Sequence, residues 1–413
     1  MFTDSIISVG VSKILQRSER QEDYTKIIDS FVDTGIIDQI LNDNNQIIYG
    51  RRGTGKTHLL RVLQQKILDE ANTVCIYIDC RNLGSSSQFT DNSKSLQVRC
   101  LSLFKDILQF INQDLLEELT ANVNDSEIQV KGLDLLSELQ SAVVEPKKEY
   151  YEGDVVITEE KTTARGARFE IDSNRIGVNA SGSKGKKVTS DIKYSIKSED
   201  KIFFPEINII IQEFLVLIHK KVYIFIDEWA ALPYDIQPYL AEMLKRGLIP
   251  ISNVVIKIAS LEYRSNFYYH GPTSNIGLEI GSDITANIDV DDYYVYDRNP
   301  VELSRFFSDV LYKHINIDLQ ENYLYNTYGI NNGDSFIKRM FNSQDTFNEL
   351  VRASEGVIRD LINIFTKAYF EAKKRKLEQI DKPVIVNVSQ QWYEQDKERN
   401  LSDELKEILS RII

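Results

Sequence analysis

Cysteine is scarce: the 413 residues contain three, Cys75, Cys80 and Cys100. Three thiols cannot build a disulfide framework, and the first two are spaced too widely for a CxxC pair, so all three are expected as reduced core residues. Long apolar runs are also missing. None approaches the roughly 20 residues that span a bilayer, so no membrane role is expected. The opening MFTDSIISVG has no basic segment followed by an apolar stretch, which gives no secretory leader and makes the cytoplasm the expected compartment. Positive charge is outweighed, 49 Lys and Arg against 62 Asp and Glu, for a net charge of −13. That balance gives a broad nucleic-acid-binding surface no support, although it leaves room for a local basic patch. No internal repeat is visible. What remains, 42% hydrophobic and 27% charged residues, is an ordinary globular composition with length enough for two or three compact units.

Hydrophobic periodicity organises the chain. Residues 1–45 read as a leader and helices, with apolar residues at helical spacing in IIDSFVDTGIIDQIL before the polar turn NDNN. QIIYG (46–50) is a short buried strand. An amphipathic helix follows, with Leu59, Leu60, Val62, Leu63 and Ile67 on one face, and TVCIYIDC (73–80) reads as a second parallel strand, completing a βαβ unit. Over 97–143 the stripe Leu101, Phe104, Leu108, Ile111, Leu115 predicts a core-facing helix. The texture changes over 145–201, where polar and apolar residues alternate between Gly, Ser and Lys clusters; this predicts an inserted β-hairpin element with GSKGKK as a loop tip. Helix FFPEINIIIQEFLVLIHKK, strand VYIFIDEWAA (222–231), a further helix, strand NVVIKIASLEYR (253–264) and a last strand with an acidic exit in ITANIDVDDYYVYD then resume the core. After Pro300 the pattern is helical to about Lys376. The expected division is 1–45, a core over 46–299 interrupted by the 97–202 insertion, a helical lid over 300–376, and tail helices over 377–413.

Between the first strand and its helix stands GRRGTGKT, which satisfies GxxxxGK[ST] at Gly50, Gly55, Lys56 and Thr57. The chemistry requires this pattern. Glycines let backbone amides curl around a phosphate, and the helix that follows turns its positive end towards the anion. Lys56 is expected to bridge β- and γ-phosphates and Thr57 to place its hydroxyl on Mg²⁺. Gly50, Arg51, Arg52, Gly53, Thr54, Gly55, Lys56, Thr57 and His58 are therefore the expected nucleotide contacts. The metal-side acid should end an apolar strand. VYIFIDE offers Asp227 for the Mg²⁺ shell, with Glu228 next to it as general base for water. Asp79 in YIDC is the rival, but it lacks a following glutamate.

These elements resemble the AAA+ and STAND branch of P-loop ATPases, and the layout looks like the ATPase domain of origin-recognition and cell-division-control initiators. It is also similar to bacterial ATPases of stress and anti-phage operons. The resemblance covers about residues 20–100 and 203–375. It implies an α/β three-layer P-loop sandwich with a central parallel sheet, a helical lid and, in this chain, a β-rich insertion. It further implies a γ-phosphate-sensing Ser260 at the end of IKIAS, and a lid arginine, Arg359, in the Gly-x-x-Arg context opened by Gly356 of SEGVIRDLINIF. A trans-acting arginine finger is implied as well, with Arg264 and Arg246 as candidates. The 377–413 stretch, including Trp392 and Tyr393, is short for the winged-helix domain with which initiators read DNA; a packed aromatic pair is the expectation there.

The resulting expectation is an ATPase with ATP and Mg²⁺ as cofactors. It would work as a switch that forms homo-oligomers and controls a protein effector or a nucleic-acid transaction, anti-phage defence included. A small-molecule kinase and a non-hydrolysing scaffold are the alternatives. The Asp-Glu pair suits water activation better than transfer to an acceptor, and a pure scaffold has no need of Lys56, Asp227 and Glu228 together. ATP over GTP rests on the resemblance and on the absence of a guanine-reading [NT]KxD element after the sensor strand.

Overall fold

The structure is a computed structural model. It describes residues 1–14, 23–70, 72–84, 87–91, 93–144, 147–151, 168–172, 175–179, 197–271, 275–295, 299–397 and scattered positions to 408. Three N-terminal helices, α1 (Ser5–Lys13), α2 (Tyr24–Ser30) and α3 (Ile36–Ile40), precede β1 (Gln46–Tyr49), α4 (Lys56–Leu68) and β2 (Thr73–Asp79). Two long helices follow, α5 (Leu96–Asn122) and α6 (Ser126–Val144), then the inserted strands β3 (Lys147–Tyr151), β4 (Arg168–Asp172), β5 (Arg175–Asn179) and β6 (Lys197–Lys201). The core continues through α7 (Phe204–Leu217), β7 (Lys221–Asp227), α8 (Gln237–Gly247), β8 (Val254–Ala259), a small hairpin of β9 (Tyr268–His270) and β10 (Asn275–Gly277), and β11 (Thr285–Asp289). Six helices close the chain: α9 (Pro300–Asn316), α10 (Tyr323–Tyr328), α11 (Gly333–Met340), α12 (Gln344–Ala353), α13 (Ile358–Lys374) and α14 (Lys382–Trp392).

Five strands form one parallel sheet in the order β11-β1-β8-β7-β2. Its central strands are apolar on both faces because helices cover both. Alternation along each strand divides the side chains between two cores. Ile47, Val222, Ile224, Ile226, Val254, Ile256 and Ile258 point to the layer that holds α5–α8, whereas Ile48, Tyr223, Phe225, Val255 and Ala259 point to α4, the N-terminal helices and the C-terminal helices. The fold is thus the expected α/β sandwich of three layers with a helical part. One detail differs from the sequence reading. β2 is parallel, but β8 and β7 stand between it and β1, so the first βαβ unit is an open crossover to the far edge of the sheet. The sequence holds no signal for that order, because the strands that fill the gap arrive more than 140 residues later.

Helix α5 starts where the Ser95 hydroxyl accepts from Val98 N, and it buries the anticipated stripe of Leu101, Phe104, Leu108, Ile111 and Leu115. In the insertion, β3 pairs antiparallel with β6 and β4 with β5; the GSKGKK tip lies outside the described residues. Cys80 and Cys100 are buried, Cys75 is half-buried, and all three are free. The apolar faces of α9, α12 and α13 enter the same core as α4, and Val384, Ile385 and Val388 of α14 are buried with them. Trp392 is half-buried beneath the Lys367 ammonium, 4.6 Å from its ring, while Tyr393 is exposed. No described helix is long and apolar enough to cross a membrane.

The N-terminal segment ties the C-terminal helices to the sheet. Asp4 caps α1, and its Oδ2 accepts from the hydroxyls of Tyr323 (2.8 Å) and Tyr328 (2.6 Å). Farther on, the Ile27 carbonyl meets His58 of α4, and the Phe31 carbonyl accepts from Lys313 Nζ of α9.

Candidate functional site

The loop between β1 and α4 curls at the carboxyl edge of the sheet, and its shape follows from its glycines. Gly53 has φ +89°, and a Cβ there would stand 2.8 Å from Arg359 Cβ, so no side chain fits between loop and lid. Thr54 is buried and its Oγ1 donates to Arg51 O (2.9 Å). Lys56 folds back on the loop and donates to Gly50 O (2.8 Å) and Arg51 O (2.9 Å). Burial pushes the Lys56 ammonium below its ordinary range, Asp227, Glu228 and Asp291 pull it back up, and Arg359 adds to the depression. Lys56 thus lies in the field of three carboxylates and one guanidinium.

Strand β7 delivers Asp227, 2% exposed, to the same edge. Its Oδ2 accepts from Thr57 Oγ1 (2.7 Å) and from Tyr77 Oη (2.5 Å), and its Oδ1 accepts from Glu228 N (2.8 Å). Thr57 Oγ1 and Asp227 Oδ2 are paired hard oxygen donors, a set that fits Mg²⁺. Glu228 follows with φ +54° and ψ +37°, a left-handed conformation that a glutamate adopts only under outside constraint. Burial, reinforced by Asp227, pushes the Tyr77 phenol far above its ordinary range, so it stays protonated and donates to the carboxylate. Asp79, the rival acid, pairs in register with Asp227 across β2 and β7 but is engaged by Arg81.

One cavity of about 300 Å³ collects these groups. Arg52 to Thr57, Asp227, Glu228, Ser260 and Arg359 line it at the loop end. Ser260 is buried, with its hydroxyl against that of Ser265. Arg359 opens α13, and its backbone N donates to Gly53 O (3.1 Å). Gly356, at φ +79°, sets up that approach: a Cβ there would stand 2.3 Å from Tyr294 O. The cavity continues between α2 and α9 to a largely apolar end with Ile27, Phe31, Val310 and Ile317, alongside His58, His314, Ser30 and the Lys26–Asp318 ion pair.

Not every residue in the sequence reading enters this cavity. Gly50 and Arg51 supply carbonyls to Lys56 from behind, and the Arg51 side chain turns away to Asp291 (3.2 Å) and to the Glu355 carbonyl (2.6 Å). His58 does line the cavity, but away from the loop, with its Nε2 2.6 Å from the Ile27 carbonyl. Arg264 is exposed and stands off the cavity, and Arg246 pairs with Glu242 one turn back on its own helix. Two partners escaped the sequence reading. Asp291 fixes the loop by accepting from Arg51 N (2.8 Å), and Tyr77 braces Asp227. The acidic exit of the last strand was a signal for the first; for Tyr77 only the unknown pairing of β2 with β7 would have served.

A search of curated proteins finds no match. Among solved structures the chain is similar to Cdc6p from Pyrobaculum aerophilum, at 12% identity over 90% of this chain and 68% of that one, with a TM-score of 0.35. It is similar to the Aeropyrum pernix ORC2 protein in ADPNP-ADP complexes, at 9% identity over 92% and 75%, TM-score 0.35. It is also similar to Drosophila ORC bound to DNA, at 10% identity over 96% and 76%, TM-score 0.36. The family model described as ORC-CDC6-like matches residues 17–275, from the N-terminal segment through the P-loop and Asp227 to the hairpin after Ser260. The chain belongs to the ORC-CDC6-like family of AAA+ proteins.

Proposed function

We propose that this protein is a Mg-ATP-dependent switch that hydrolyses ATP and assembles with further copies of itself. The observation that carries the reading is one continuous cavity with a glycine-rich loop, a buried lysine and an Asp-Glu pair at one end and an apolar recess at the other. In this reading the loop amides and Lys56 bind the β- and γ-phosphates, while Thr57 and Asp227 hold Mg²⁺. That ion supplies neutralising charge to the phosphate oxygens. Glu228 takes the proton of the attacking water, Ser260 reads the γ-phosphate, and Arg359 grips it from the lid. Exposed Arg264 supplies the finger to a neighbouring copy, an arrangement supported by its position just past the sensor strand and by Tyr263 beside it at 94% exposure.

The working division is an N-terminal segment over 1–45, a core over 46–299 interrupted by the 97–202 insertion, a helical lid over 300–376 and tail helices over 377–413. The net charge of −13 favours a protein effector over nucleic acid as the partner that reads the switch. The sequence resemblance to ATPases of stress and anti-phage operons would place such a switch in a defence setting. Phosphate release from ATP without any acceptor tests the enzyme. Light scattering after size exclusion, with and without a slowly hydrolysed ATP analogue, tests the assembly. Turnover that required an added metabolite, or a mass indifferent to nucleotide, would overturn the respective half.

A further inference from the structure

The apolar end of the cavity holds two imidazoles whose protonation is fixed by their partners. On α9, His314 Nδ1 lies 2.8 Å from the carbonyl of Val310, four residues earlier. A carbonyl only accepts, so Nδ1 carries the hydrogen and Nε2 keeps its lone pair. On α4, His58 Nε2 stands 2.6 Å from the Ile27 carbonyl and carries the hydrogen by the same rule. The two rings meet edge to face at 6.2 Å. The charged groups around them, Lys26 paired with Asp318 at 2.7 Å and Lys313 bound to the Phe31 carbonyl, already have partners. Burial pushes both imidazoles down, His314 to about 4, so the ring is neutral at neutral pH.

The two histidines stand at different depths. His58 directly follows Thr57 on the helix that meets the phosphates, whereas His314 belongs to the lid wall with Val310 and Ile317. Its Nδ1 is tied to its own helix turn, so Nε2 is the ring nitrogen left to accept a hydrogen bond in the residue that lines the cavity. A purine ring seated among Ile27, Phe31, Val310 and Ile317 would meet a hydrogen-bond acceptor there. Adenine presents an amine donor at C6; guanine and hypoxanthine present an oxygen, which repels a lone pair.

We propose that His314 sets base specificity, its Nε2 accepting a hydrogen bond from the exocyclic amine of adenine and rejecting 6-oxopurines; this rests on the ATP-binding reading above. The pair ATP and ITP isolates the effect, since they differ only in the C6 substituent and the N1 proton that accompanies it. Wild-type protein is expected to bind ATP about tenfold or more tightly than ITP, because the wrong base leaves a buried acceptor facing an acceptor. In His314→Leu the two affinities are expected to converge, with ATP falling to the ITP level. In His314→Gln the side-chain oxygen should restore a preference. Binding is read by displacement of a fluorescent nucleotide, with a thermal melt of each variant as a fold control. Equal wild-type affinities for ATP and ITP, or a Leu variant that keeps the full preference, would overturn the role of His314 and leave nucleotide binding standing. Failure of the wild type to bind any nucleoside triphosphate would sink the underlying reading as well.

Discussion

Thr57 donates its hydroxyl hydrogen to Asp227 Oδ2 across 2.7 Å, joining the first turn of the P-loop helix to the end of the apolar strand β7. These residues are 170 positions apart, and their contact closes the phosphate end of the cavity. The carboxylate is also held by Glu228 N and Tyr77 Oη, so the oxygens that would hold Mg²⁺ are fixed by the fold itself.

Replacing Lys56 by Ala removes the buried cation and leaves the Gly50 and Arg51 carbonyls without their donor. Affinity for ATP should fall about a hundredfold or more, the scale of a lost charge-assisted contact. Isothermal titration measures it; an unchanged affinity would contradict the placement of the phosphates.

Glu228→Gln keeps the size of the side chain and removes the base. ATP binding should be retained, while phosphate release slows by about 10²–10⁴. A single-turnover assay with separate binding and release phases distinguishes the two effects, and hydrolysis at the wild-type rate would disqualify Glu228.

Tyr77→Phe deletes one of three donors to Asp227. With Thr57 and the Glu228 amide still in place, the cost to stability should be about 1.5–3 kcal/mol, the range for a hydrogen bond to a charged group. Urea unfolding reads this directly. No loss would mean that the phenol does not brace the acid.

Acid should destabilise the protein through its buried histidines. The His314 imidazole sits at about 4 in the fold and near 6.5 in an unfolded chain. Between those values the unfolded chain binds the extra proton, so this stability is complete above pH 6.5 and is lost as the pH falls towards 4. The full effect is on the order of 3 kcal/mol, and His58, also pushed down by burial, acts in the same direction. Urea midpoints at pH 7 and pH 5 should differ in the wild type, and the gap should narrow in His314→Gln, with the remainder belonging to His58.

Much of this was legible from residues alone, for a physical reason. GRRGTGKT and VYIFIDE are local patterns: glycine conformations, one lysine and a carboxylate after an apolar strand carry their chemistry with them wherever the fold puts them. The stripe from Leu101 to Leu115 declared its helix in the same way. What escaped depends on distant pairing. Tyr77 reaches Asp227 only because β2 lies beside β7, and the strand order is written in no single segment. Lys257 is fully buried in the middle of β8, where Asn42, Asn44 and Gln46 give it three oxygens, an arrangement invisible in NVVIKIAS. The recess draws on α2, α4 and α9 at once, so His314 did not advertise itself, and the sequence marks His58 only as a neighbour of the P-loop.

The segment between Asp4 and Phe31 carries one further implication. It is fastened to the lid through Tyr323, Tyr328 and Lys313 and to the P-loop helix through His58. A purine resting on Ile27 and Phe31 would press on a strap anchored at both ends, so filling the recess should raise the opening cost of lid and loop together. Amide hydrogen exchange would then slow in α4 and α9 in concert, as one cooperative unit, when nucleotide is added.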